Sequence, residues 1–155
     1  MVIYRTFEEK DLDHVYSIYI AGYFHLYGDK VKIHADQFLK LFRSSLIHKT
    51  EGEMFIAEKD GVPVGFATIH KEPTNEWKFG PIIVTPSAQG QGIGYQLLQL
   101  CIDFARSKNV SQIYLKVHEH NENAINLYKK SGFILKDVIP SDIPGINYLK
   151  MIKFL

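Results

Sequence analysis

The chain has 155 residues, of which 46% are hydrophobic and 23% charged, as in a soluble globular protein of about one domain. Eighteen basic and seventeen acidic residues leave a formal net charge of +1. This balance argues against binding of nucleic acid or of anionic membranes through bulk charge. The single cysteine, Cys101, excludes an internal disulfide and is expected on the buried face of a helix.

The N-terminal segment has no apolar signal core, and no stretch approaches the roughly 18 apolar residues of a membrane span. We therefore expect a cytoplasmic protein that makes no membrane contact. Residues 1–155 contain no linker, repeat or low-complexity segment, which predicts a single domain.

The first third of the chain predicts one strand and two helices. Val2–Phe7 alternates and is rich in β-branched and aromatic residues, as strands are. Thr6 is expected to cap a helix from about Glu8, the aromatic segment Tyr23–Ile33 to form a loop, and a second helix to start near Asp36. The helical spacing predicts buried side chains at Leu12, Val15, Ile18 and Tyr19 in the first helix and at Phe38, Leu41, Phe42 and Leu46 in the second.

The remaining chain mixes strands and helices. Residues 53–59 and 64–70 predict a hairpin, because an Asp-Gly turn separates two apolar runs. The further elements, in chain order, are a strand at 77–84, a helix at 92–108, a strand at 112–118, a short helix from Asn121 to Ser131, and strands at 133–139 and 147–154. This order predicts a layered α/β domain with a mixed sheet, not a doubly wound one.

The segment from Val84 to Gly94 joins a strand directly to a helix. Its glycines let backbone N–H groups approach an anion, and the helix adds its unpaired first-turn donors and the positive end of its dipole. A P-loop is excluded because Tyr95 follows Gly94, and the glycine spacing does not fit a dinucleotide-binding fingerprint. On this segment alone, a glycine-rich turn with no ligand stays open.

Two motifs in the second half resemble the GNAT superfamily of acetyl-CoA-dependent N-acyltransferases. The first is Gln89-Gly-Gln-Gly92-Ile-Gly94 after Val84-Thr-Pro86. The second is Asn121-Glu-Asn-Ala124-Ile-Asn-Leu127-Tyr128-Lys-Lys-Ser-Gly132-Phe133. The resemblance implies a GNAT-like mixed, mostly antiparallel seven-stranded sheet flanked by about four helices. It also implies an N-acetyltransferase whose co-substrate is acetyl-CoA.

The resemblance assigns roles to residues of both motifs. Backbone N–H groups would hold the pyrophosphate across Gln89, Gly90, Gln91, Gly92, Ile93 and Gly94. The backbone of Ile82, Ile83 and Val84 would pair with the pantetheine arm, as if the arm were an added strand. This pairing requires the strand at 77–84 to splay from that at 112–118, with a bulge near Pro81. Asn121 would contact the cofactor, and Tyr128 would be the general acid that protonates the thiolate.

The catalytic base is not assigned by the resemblance. Family members carry a glutamate at positions that match Lys116 or fall near Lys78. The nearby alternatives are Glu76, His118 and Glu119, acting directly or through water. The two histidines of His118-Glu119-His120 would face opposite sides of a strand, so no metal site is predicted. A backbone N–H near the bulge, around Val84, is expected to stabilise the oxyanion.

The acceptor is expected to be a primary amine of unknown identity. Its pocket is predicted to contain aromatic and histidine side chains, namely Tyr19, Tyr23, Phe24, His25, Tyr27 and Trp77. A place in the hydrophobic core stays open for Tyr19 and Phe24. An acetyl-CoA-binding sensor without turnover stays an alternative, because the usual base is missing. Dimers are common in the family, and the final strand could offer an edge for a homodimer.

Overall fold

A computed structural model describes residues 1–46 and 51–155 and contains a seven-stranded sheet within them. The order across the sheet is β1-β2-β3-β4-β5-β7-β6, and only β4 and β5 run parallel to each other. This confirms the predicted mixed, mostly antiparallel sheet. The strands are β1 Val2–Thr6, β2 Gly52–Lys59, β3 Val62–Lys71, β4 Trp77–Val84, β5 Gln112–His118, β6 Ile134–Pro140 and β7 Asn147–Phe154.

Four α-helices in the described ranges cover the two faces of the sheet. They are α1 Leu12–Tyr27, α2 Val31–Leu46, α3 Ile93–Ser107 and α4 Glu122–Lys130. One apolar cluster joins the sheet to α3 and α4, and a second joins the opposite face to α1 and α2. Cys101 is fully buried in the first cluster, as expected.

The bounds of helices α1 and α2 differ from those predicted. The segment Tyr23–Ile33 is not a loop, because α1 continues to Tyr27 and a short 3-10 turn at Gly28–Lys30 leads into α2 at Val31. Aromatic residues have modest helix propensity, but packing outweighs propensity. Here the ring of Tyr19 stacks on Phe38 of α2 at 5.1 Å.

Two finer predictions in this region are wrong, and a third concerns a side chain outside the described residues. Thr6 ends β1 and caps no helix, since Glu8 and Asp11 form a capping box at the turn that precedes α1. The side chain of Leu41 is 67% exposed rather than buried. That of Leu46 lies outside the described residues.

The parallel strands β4 and β5 separate soon after they meet. Their pairing is limited to Trp77 with Ile113 and Lys78 with Tyr114. On the other side of β4, Gly80 and Pro81 together oppose the single residue Thr68 of β3, which is a β-bulge. The predicted splay and bulge are therefore present, and they open the middle of the sheet.

The two outer strands of the sheet are β1 and β6. The final strand β7 lies between β5 and β6, so it offers no edge to a second copy. The expectation that the final strand provides a dimer edge is therefore wrong. A strand paired on both sides has no free backbone groups for a further strand.

Candidate active site

The glycine-rich loop forms an open anion-binding end of α3. Gly90 and Gly92 both adopt φ of +78°, and no protein atom lies within 4 Å of where a Cβ would stand on either. Within the described chain, the backbone N–H groups from Gly90 to Tyr95 have no hydrogen-bond acceptor. They lie at the positive end of a 15-residue helix. The loop can therefore bind an anion through its backbone.

Gln89 braces the loop instead of donating its N–H to a ligand. Its backbone N–H is directed at the carbonyl of Pro86 at 3.3 Å, and its side-chain amide donates to the carbonyl of Val84 at 2.9 Å. A cation also approaches, because Lys59 Nζ lies 3.4 Å from the Gln91 side-chain oxygen. The sequence did not reveal this lysine, since it stands on β2, far from the loop along the chain.

The free edge of β4 presents alternate backbone groups. Thr85 donates its N–H to Val64 of β3, and Ile83 pairs with Phe66 in the same register. Because antiparallel hydrogen bonding alternates, the backbone of Ile83 faces β3, while those of Ile82 and Val84 face the splayed gap. Of the three predicted residues, Ile83 contributes its side chain instead, which packs against α1 at Gly22.

The second motif places Asn121 and Tyr128 on α4. The Asn121 side chain accepts the N–H of Ala124 at 3.3 Å, so it caps the helix. Tyr128 is 6% exposed, and its ring meets Phe79 and Phe133 edge-on at 5.9 and 5.8 Å. Its hydroxyl makes no hydrogen bond to any described residue. Burial raises the pKa of Tyr128 above its usual value.

A cleft of about 970 Å³ connects these parts and crosses the sheet at the splay. Tyr128, Asn121, Gln89 and the residues of β4 from Lys78 to Val84 line it. On the α1 side it is lined by Tyr19, Tyr23, His25 and Tyr27, as predicted for an acceptor pocket.

Two predicted members of the acceptor pocket lie elsewhere. Phe24 is 56% exposed and does not line the cleft. Trp77 packs against Phe104 on the α3 face, with ring centroids 6.3 Å apart. Helical and strand periodicity explain both differences, since each residue points away from neighbours that do line the cleft.

The three candidate bases differ in whether they line the cleft. Glu76 lies outside the cleft and pairs with Lys150 at 3.3 Å. Glu119 also lies outside and accepts the N–H of Asn147 at 3.0 Å. His118 does line the cleft, is 9% exposed, and its ring lies 4.7 Å from that of Tyr148. Burial lowers the pKa of His118, although Asp142 acts in the opposite direction.

A polar cluster on the same face of the sheet is not part of any motif in the sequence. Glu72 accepts the hydroxyl of Tyr114 at 2.8 Å, and His70 Nε2 lies 3.5 Å from the other carboxylate oxygen. Tyr148 donates to Asp142 at 3.0 Å, and its oxygen lies 3.5 Å from that of Tyr27. Alternate residues of a strand share a face, so Phe66, Thr68 and His70 of β3 lie on the same side of the sheet. This alternation could have indicated that His70 belongs to the cleft.

Two possible features are absent from the described part of the chain. It contains no group of three or more histidine, cysteine, aspartate or glutamate side chains arranged to hold a metal ion. None of its helices has the length and apolar character needed to cross a membrane.

The family model described as "Acetyltransferase (GNAT) family" matches residues 12–133. An uncharacterized N-acetyltransferase of Methanocaldococcus jannaschii is 30% identical over 159 residues, which cover 96% of this chain and 65% of that protein. The N-alpha-acetyltransferase RimI of Mycobacterium tuberculosis is 39% identical over 80 residues, which cover 50% of this chain and 49% of that protein. The matches thus span about two thirds and one half of these relatives.

The fold is also found among solved structures. A putative acetyltransferase from Salmonella typhimurium, solved with its cofactor acetyl-CoA, superposes with a TM-score of 0.85 at 20% identity. The match covers 100% of this chain and 94% of that one. At this identity the likeness establishes a shared fold.

Proposed function

The chain belongs to the GNAT family of acetyltransferases, and we propose that it transfers the acetyl group of acetyl-CoA directly to a primary amine. One observation carries this proposal. The loop before α3, whose N–H groups have no acceptor among the described residues, adjoins at Gln89 a cleft that passes through the splayed strands. A ligand with a phosphate end and an extended arm fits such a cleft, and the acceptor would enter from the α1 side.

The cofactor would be held mainly by backbone groups. The N–H groups of Gly90–Gly94 would bind the pyrophosphate, with Gln89 bracing the loop. The free edge, through the carbonyl of Ile82 and the backbone of Val84, would pair with the amides of the pantetheine arm. Asn121 lines the same cleft and would contact the arm while it caps α4.

The reaction requires a neutral amine, whereas an alkylamine with a pKa of about 10.4 is mostly protonated at neutral pH. The neutral fraction of the amine, formed by loss of one proton to solvent, attacks the thioester carbon, and its nitrogen becomes positively charged as the bond forms. We assign His118 as the group that takes the second proton from this nitrogen, since it lines the cleft and its Nδ1 has no partner among the described residues. The free N–H of Ile82, next to the bulge, would stabilise the oxyanion.

Collapse of the tetrahedral intermediate breaks the carbon–sulfur bond and releases the thiolate of coenzyme A. Tyr128 would donate a hydrogen bond to this sulfur. Complete proton transfer from Tyr128 would run uphill, because burial raises its pKa above the tyrosine value of about 10, while a thiol has a pKa of about 8.5. We therefore assign Tyr128 to stabilise the leaving thiolate, with His118 holding the proton removed from the amine.

The test combines cofactor binding with turnover. Calorimetry should show binding of acetyl-CoA to the purified chain, and release of free thiol should follow when a suitable primary amine from a broad panel is added. Mass spectrometry of the product should show one added acetyl group on nitrogen. Binding without thiol release from any amine would support the sensor alternative, and absence of binding would refute the proposal.

A further inference from the structure

Two lysines on the acceptor side of the cleft form no ion pair with the described residues. Lys78 and Lys116 both line the cleft, on the adjacent strands β4 and β5. Within residues 1–46 and 51–155, neither lies within 4.0 Å of a carboxylate, whereas the neighbouring Lys150 is paired with Glu76. Lys116 is exposed, with its Nζ 6.0 Å from the centre of the Tyr148 ring, and Lys78 is half-buried. The two positive charges repel each other, and both remain available to an anion in the cleft.

Among the described residues, Glu72 is the one carboxylate that lines the cleft, and it is already engaged. Glu72 accepts the Tyr114 hydroxyl and lies 3.5 Å from His70. Glu72 can offset part of the charge of Lys78, because the two interact electrostatically. Lys116 then supplies an excess positive charge at the acceptor side.

Three buried side-chain atoms of residues that line the cleft lack partners in the described part of the chain. They are Oγ1 of Thr68 and Nδ1 of His118, in residues that are 2% and 9% exposed, and Oγ1 of Thr85, just after β4. Buried polar atoms in native proteins almost always have a hydrogen-bond partner, supplied by the protein, by water or by a ligand. A polar ligand in the cleft can supply partners that the protein does not.

We propose that the acceptor is a small amine that carries a carboxylate close to its nucleophilic nitrogen, as a free amino acid does, and that Lys116 and Lys78 bind this carboxylate. The inference rests on the proposed acetyl transfer and names its substrate class. One carboxylate neutralises the excess charge of the lysine pair, and a charge-assisted contact to an ammonium group is among the stronger polar interactions.

The same charges help to select and activate the amine. A second ammonium group, as in a diamine or polyamine, would meet the lysines at close range and be repelled. The positive surroundings also favour the neutral form of the nucleophilic amine, because a nearby like charge disfavours protonation. The lysines at positions where other family members carry a glutamate thus act on the substrate itself.

The direct test compares each of the twenty common amino acids with its primary amide, using thiol release from acetyl-CoA. We expect at least one free acid to be acetylated with kcat/KM about tenfold or more above that of its amide. The amine of the amide is the less basic of the two, so chemistry alone favours the amide. An equal or reversed preference, or exclusive use of diamines, would overturn the proposal while leaving acetyl transfer intact.

The matched variant is Lys116→Met, which removes the charge and keeps the length of the side chain. KM for the preferred acid should rise roughly 10- to 100-fold, while KM for its amide and the Kd for acetyl-CoA stay within about twofold. Lys136→Met, on the exposed strand β6, is the control and should change neither. If Lys116→Met does not fold, Lys78→Met provides the same comparison.

The outcomes separate the two proposals. Equal effects of Lys116→Met on acid and amide would overturn carboxylate binding by these lysines. If acetyl-CoA binds but no amine is acetylated, or if acetyl-CoA does not bind, the proposed function fails and the acceptor assignment fails with it.

Discussion

The two ends of the cleft are built from different kinds of chemical group. At the proposed cofactor end, the exposed polar groups are backbone N–H groups of the loop and the free edge of β4, so most side chains there only need to be small or absent. At the proposed acceptor end, the surface consists of side chains from α1, α2, β3, β4, β5 and β7. Substitution should therefore act through backbone conformation at the first end and through lost functional groups at the second.

Tyr128→Phe tests the point where the two ends of the cleft meet, and it should lower the catalytic rate more than the other substitutions. We expect kcat to fall by a factor of about 300, within the range for loss of one preorganised donor to a developing anion, with the Kd for acetyl-CoA nearly unchanged. Single-turnover measurements would isolate the chemical step from product release. Tyr4→Phe, a partly buried ring remote from the cleft, is the control. An unchanged chemical rate in Tyr128→Phe would remove this assignment.

His118→Asn tests the acceptor end, and kcat/KM should fall by a factor on the order of 100, as for loss of a general base. Burial lowers the pKa of His118, so its neutral, basic form should persist as the pH falls below the ordinary histidine value of about 6.5. The wild-type rate, corrected for the neutral fraction of the amine, should decline only below that pH, and the variant should lack this decline. His14→Asn, on an exposed part of α1, serves as control. A decline retained in His118→Asn would assign the base elsewhere.

Gly92→Ala tests the cofactor end, and the Kd for acetyl-CoA should rise about tenfold, a loss of about 1.4 kcal/mol. A Cβ would enter the space where the pyrophosphate is proposed to lie, and the positive φ would strain the loop. Gly61→Ala is a close control, because Gly61 has φ of +80° and equally open surroundings in the turn between β2 and β3. Both variants should lose about 1–2 kcal/mol of stability from the left-handed backbone. Equal acetyl-CoA affinities in the two variants would contradict the loop as the phosphate site.

The same division explains what could be predicted from the sequence. The cofactor end is encoded locally, since the glycine loop, the break at Pro81 and the cap at Asn121 each follow from a few consecutive residues. The helical path through Tyr23–Ile33 was mispredicted because its stability comes from packing against residues distant in the chain.

The acceptor end depends on the register of non-adjacent strands. Glu72 becomes part of the cleft because Tyr114 of β5 donates to it across β4, a contact that no local pattern contains. In the same way, Trp77 was placed in the wrong region because the strand prediction did not decide which face of the sheet it occupies. The side of each strand residue is fixed only once the whole sheet is assembled.

Glu76→Gln should change the catalytic rate least of these substitutions. It tests where the acceptor end of the cleft stops. Glu76 lies outside the cleft, and its contact with Lys150 is an exposed ion pair, which contributes about 0–1 kcal/mol. We therefore expect kcat to remain within about twofold of the wild type and the urea midpoint to shift little. A large fall in kcat with the fold intact would mean that Glu76 reaches the amine through water. The acceptor end would then extend along β4 to Glu76. Glu76 would also replace His118 as the base, because only one of the two residues can take the proton from the amine.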